Sequence, residues 1–79
     1  MNKGAGDMKQ IRSYWCDDTP TLEEVTHAFE IVETLGVVVE LRWFVKWSGK
    51  YNTIITEDTV NRMTPEKYLD ECIPHVYGM

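Results

Sequence analysis

A chain of 79 residues, 43% of them hydrophobic and 27% charged, has room for one domain around one core. Its formal net charge of −5 weighs against nucleic acid or an anionic membrane as a simple electrostatic partner. The longest run free of polar side chains, residues 35–39, falls far short of the roughly 20 residues a membrane helix needs. The two cysteines, Cys16 and Cys72, are too few for a disulfide framework, so reduced thiols in a cytoplasmic protein are expected.

Residues 1–8, with Gly4 and Gly6, read as a flexible tail ahead of a single domain at 9–79. Residues 9–16 alternate as a short strand does, with Ile11 and Trp15 on one side and Gln10, Arg12 and Tyr14 on the other. Asp17-Asp18-Thr19-Pro20 breaks that strand. Thr21-Leu22-Glu23-Glu24 then fits a capping box, with Thr21 as N-cap and Glu24 three residues on. In the helix that follows, Leu22, Val25, Ala28, Phe29, Val32 and Leu35 fall within about 140° of arc at 100° per residue, an amphipathic stripe. Gly36 supplies a left-handed C-cap.

Residues 37–47 predict a long strand rich in β-branched and aromatic side chains. Val37, Val39, Leu41, Trp43, Val45 and Trp47 share one face; Val38, Glu40, Arg42, Phe44 and Lys46 share the other. Ser48-Gly49-Lys50 marks a hairpin turn and 51–56 the return strand, with two-residue and three-residue loops both open. Residues 57–63 read as a polar loop or a single turn. Thr64-Pro65 opens a second helix whose apolar side holds Tyr68, Leu69, Cys72 and Ile73, and Pro74 ends it. In the tail at 75–79, Val76 and Tyr77 are expected to dock back. The fold class is therefore α+β: a small β-α-β-β-α domain, a three-stranded sheet with helices packed on one face.

Charge is unevenly spread. Residues 17–36 carry Asp17, Asp18, Glu23, Glu24, Glu30 and Glu33 and no Lys or Arg, whereas the strands around them are mildly basic. Solvated helix faces are commonly charged, which accounts for part of this. A carboxylate array also suits a basic partner surface, and it can imitate the phosphate spacing that nucleic-acid enzymes recognise. Asp17, Asp18, Glu23, Glu30 and Glu33 are the expected partner-binding residues on this reading. The function expected is a small acidic non-catalytic protein-interaction module. Its most concrete form is an inhibitor of phage or mobile-element type, docking on a nucleic-acid-handling enzyme.

A second expectation uses the outer sheet face. If helices cover the Trp43 side, then Arg12, Tyr14, Arg42, Phe44 and Lys46 come together as a basic and aromatic surface suited to nucleic acid. A third is self-association as a homodimer, through the free edge of the strand at 51–56.

Catalytic and metal chemistry is expected to be absent, and with it any cofactor. Cys16, His27, Cys72 and His75 are the conceivable zinc ligands, but only Cys72 and His75 show ligand-like spacing. Asp17 and Asp18 beside Cys16 disfavour a thiolate there, so no activated nucleophile is in view. The run Phe44-Val45-Lys46-Trp47-Ser48-Gly49 with Asn52-Thr53 resembles a chromodomain hairpin. Ile54-Ile55-Thr56 stands where that family has Trp-Glu-Pro, and no cage residues are carried over.

Overall fold

The computed structural model describes residues 10–73. The segments at 1–9 and 74–79, including Pro74, His75, Val76 and Tyr77, lie outside the described residues. Six elements follow in order: β1 (Ile11–Trp15), α1 (Leu22–Leu35), β2 (Val38–Val45), β3 (Gly49–Ile55), α2 (Glu57–Arg62) and α3 (Pro65–Glu71). The class is α+β, and the β-α-β-β-α order holds with one additional short helix.

α1 begins where the sequence signals it. Thr21 accepts the Glu24 N–H at 3.2 Å, and the Thr21 N–H donates to the Glu24 carboxylate at 2.9 Å, so both halves of the capping box are made. Gly36 closes the helix at φ 66°, a conformation that costs other L-residues energy. The helix buries Val25, Ala28, Phe29 and Val32, while Leu22 and Leu35 at the stripe's ends stay exposed.

The sheet has order β1-β2-β3, with β1 parallel and β3 antiparallel to β2. Crossover through α1 is what a parallel neighbour requires. The hairpin turns at 45–48, where the Ser48 N–H donates to the Val45 carbonyl at 3.0 Å, and Gly49 follows at φ 104°. A turn followed by a positive-φ glycine gives a three-residue loop. Val45 then stands opposite Gly49, and Tyr51, Thr53 and Ile55 stand opposite Trp43, Leu41 and Val39. The turn expected at Ser48-Gly49-Lys50 thus sits two residues earlier, at 46–48, and Gly49 and Lys50 already belong to β3, which fixes the register. The same shift corrects the extent of the central strand: Lys46 and Trp47 belong to the turn, and Trp47 is 70% exposed instead of facing the core.

The core lies between the sheet and the helices. Val39, Leu41 and Trp43 from β2 and Ile55 from β3 meet Val25, Ala28, Phe29 and Val32 from α1. Trp43 stacks on Tyr51 with centroids 5.7 Å apart and planes 9° from parallel. Tyr68 of α3 packs edge-on against Phe29, and its hydroxyl lies 2.6 Å from Thr53 Oγ1 and donates to the Ile54 carbonyl at 2.9 Å. Tyr68 thus ties α3 to both α1 and β3, and burial pushes its pKa up.

Two expectations are corrected. Residues 57–62, expected as a loop or a single turn, form a short helix, α2: Thr56 caps it by accepting the Thr59 N–H at 3.2 Å, with Glu57 and Asp58 in the first turn where negative charge is favourable. Cys72, expected on the apolar side of the last helix, is its exposed C-cap residue.

Candidate functional site

Two surfaces answer to the charge pattern of the sequence, one on the helical layer and one on the open sheet. The first is the flank of α1. The β1–α1 turn exposes Asp17 and Asp18, and Asp18 accepts the Thr19 N–H at 2.7 Å. Along the helix, Glu23, Glu30 and Glu33 are exposed, with no ion-pair partner among the described residues. Residues seven apart return to nearly the same helical face, so Glu23 and Glu30 stand together with His27 between them.

β1 completes this surface. Tyr14 lies beside Leu41 on the helix side of the sheet, and its hydroxyl is 3.4 Å from His27 Nδ1. The two rings meet edge to face with centroids 5.7 Å apart. An open groove of about 680 Å³ runs along this junction, lined among the described residues by Tyr14, Leu22, Glu23, Glu24, Thr26, His27 and Glu30. Among the described residues its lining holds three carboxylates and no Lys or Arg. Burial, then the nearby Glu24, raises the Tyr14 pKa, so the phenol stays a neutral hydrogen-bonding group at the groove wall.

The second surface is the sheet face turned away from the helices. Register along the strands assigns its rows: Ile11 beside Val38, Ser13 beside Glu40 and Ile54, Trp15 beside Arg42 and Asn52, and Phe44 beside Lys50. Glu40 accepts from Asn52 Nδ2 at 2.8 Å and from Ser13 Oγ at 3.4 Å. The Arg42 guanidinium lies over the Trp15 ring, 4.6 Å from its centroid.

This face differs from the one expected. Arg12 and Tyr14 do not join Arg42 and Phe44; they lie on the helix side, beside Val39 and Leu41. Lys46 is in the hairpin turn, exposed beyond the end of β2. The physical reason is the period of two: Cys16 is buried, and two residues back Tyr14 must share its side, which sends Trp15 outward. Trp15 and Ile11 are accordingly the residues that sequence reasoning missed. The signal for them was Cys16, a small apolar residue at the end of the same alternation.

The remaining chemistry is sparse. The Cys16 thiol is pushed up to about 12, first by burial and then by Glu24 and Asp17. It is held as a neutral thiol, unsuited to nucleophilic attack or metal binding at neutral pH. Among the described residues no three His, Cys, Asp or Glu side chains gather as metal ligands. His27 stands beside Tyr14, Cys16 is buried, Cys72 is exposed on α3, and His75 lies outside the described residues. No helix among the described residues is long and apolar enough to cross a membrane.

Comparison with protein-family models, with characterised proteins and with solved structures finds no match to this chain.

Proposed function

We propose that this chain is a small non-catalytic protein-interaction module that docks on a basic segment of another protein through the acidic flank of α1. The observation that carries this reading is the groove along α1, whose three carboxylates meet no Lys or Arg among the described residues of its lining. A partner's Lys or Arg entering it would find the countercharge, while Leu22 and Tyr14 offer apolar contact to the side-chain stems. A surface built to hold a phosphate backbone presents such cations. A nucleic-acid-handling enzyme is therefore the partner class that ranks first, with this chain acting as its inhibitor.

The test is binding of an Arg-rich peptide, read by calorimetry, together with comparative affinity capture from lysate by wild type and variant. The triple variant Glu23→Lys, Glu30→Lys, Glu33→Lys is expected to weaken peptide binding about tenfold or more. Its far-UV circular dichroism should match wild type, since all three side chains are exposed. Equal binding by the variant would remove the α1 flank from the proposal.

Nucleic acid is the second reading, favoured by Arg42 over Trp15 with Lys50 on the same open face. Glu40 at the centre of that face opposes it. Salt-sensitive binding of single-stranded DNA, lost on Arg42→Ala, would promote this reading over the first.

A further inference from the structure

The open sheet face is apolar beyond what its strands need. Ile11 is 63% exposed, Trp15 58%, Phe44 51% and Ile54 43%, all on the side away from the helices. They stand around a polar centre of Ser13, Glu40, Arg42 and Asn52, and together expose roughly 450 Å², within the range of a monomer's largest apolar patch. We propose that a second copy of this chain covers this face, the two sheets stacking about a two-fold axis that lies between them, across the central strands, and passes between Glu40 and Arg42.

Charge selects the occupant. The chain carries −5, and the flank of α1 is acidic, so most approaches between two copies are repulsive. The open face is different: Arg42 and Lys50 stand there against Glu40. Arg42 has no ion-pair partner among the described residues, and Ser13 and Asn52 hold the Glu40 carboxylate on the face. An axis between residues 40 and 42 sets each Glu40 opposite the partner's Arg42, and each Arg42 opposite the partner's Glu40. A two-fold contact requires this reciprocity.

Shape agrees with charge. The same axis exchanges the rows of the sheet, so Phe44 stands over the partner's Val38 and Trp15 over the partner's Ser13. Large side chains meet small ones, the condition for two sheets to interdigitate about 10 Å apart. A face of three strands about seven residues long, at about 3.3 Å per residue and 4.8 Å between strands, spans roughly 330 Å² in plan. Standard interfaces bury about 800 Å² per partner, so the contact is small and the pair is expected to dissociate readily. Both α1 grooves would remain on the outer sides of the pair, so the dimer does not depend on what the grooves bind.

Sedimentation velocity over a wide concentration range tests this on the full chain. Wild type is expected to show a reversible monomer–dimer equilibrium. Phe44→Asp, Glu40→Arg and Arg42→Glu should each raise the dissociation constant at least tenfold, with helical content unchanged by circular dichroism. The two charge variants carry opposite signs on the same face, so mixing them in equal amounts should restore a dimer that neither forms alone. A wild-type chain that stays monomeric throughout overturns the proposal. So does a dimer that survives Phe44→Asp, a mixture that stays monomeric, or a face that binds single-stranded DNA without self-association.

Discussion

Cys16 and Cys72 sit in opposite environments, and a thiol reagent will tell them apart. Cys72 is exposed at the end of α3, whereas Cys16 is buried with its pKa pushed up to about 12 from an ordinary 9.0. At neutral pH a maleimide should label Cys72 promptly and Cys16 only on unfolding, with mass spectrometry locating the adduct. The pH dependence has a definite sign. The folded state holds the Cys16 proton more tightly than the unfolded chain does, so this contribution is fully present below pH 9. It is then lost as pH rises from 9 towards 12. Urea midpoints of wild type should fall over that window more steeply than those of Cys16→Ala. Of the residues read as a site, Glu23, Glu30 and Glu33 were legible because a helical stripe leaves its other face to solvent. Arg12 and Tyr14 were assigned to the wrong side of the sheet. A five-residue edge strand alternates equally well in either sense, and burial of Cys16 breaks the tie.

At the scale of elements, local signals worked where they were reciprocal. The Thr21–Glu24 box and Gly36 bracket α1 by contacts within a few residues, so its ends were readable. Thr21→Ala removes the acceptor for the Glu24 N–H and should cost about 1 kcal/mol in urea unfolding, with the denaturant slope unchanged. α2 escaped notice because six residues with Val60 as their sole large apolar side chain show no stripe, although Thr56 followed by Glu57 and Asp58 was a start signal. The hairpin register escaped for a different reason. The loop was expected at Ser48-Gly49-Lys50 but forms at 46–48, and what places it there is non-local. Only the observed pairing sends Tyr51 onto Trp43 and Thr53 to the Tyr68 hydroxyl on a helix that comes later in the chain.

At the scale of the molecule, the two proposed surfaces lie on opposite sides of the sheet and respond differently to salt. The α1 groove works through charge, while the open face adds aromatic burial to its Glu40–Arg42 pairs. Raising ionic strength from about 0.01 M to about 1 M shortens the screening length from about 30 Å to about 3 Å. Binding of the Arg-rich peptide should collapse over that range, and self-association should persist, as parallel calorimetric and sedimentation titrations would show. Loss of both would mean that aromatic burial contributes little to the dimer. Among the described residues the sheet has two free edges, at β1 and β3. Pairing at the β3 edge would instead leave Trp15 and Phe44 exposed in the assembly, and tryptophan quenching separates that arrangement from the stacked one.

Read alone, the sequence determined the α+β class, the order of the main elements, both limits of α1 and the acidity of its exposed face. These follow from periodicity and capping, which act over three or four residues and leave their mark in neighbouring letters. Tertiary structure decided the hairpin register, the existence of α2, the turning of Trp15 and Ile11 onto the open face and the meeting of Tyr14 with His27. Apart from α2, which is too short to show a stripe, each depends on which of two alternating faces is buried. That choice is made by contacts between segments distant in the chain, where Cys16, Tyr51 and Tyr68 find their partners.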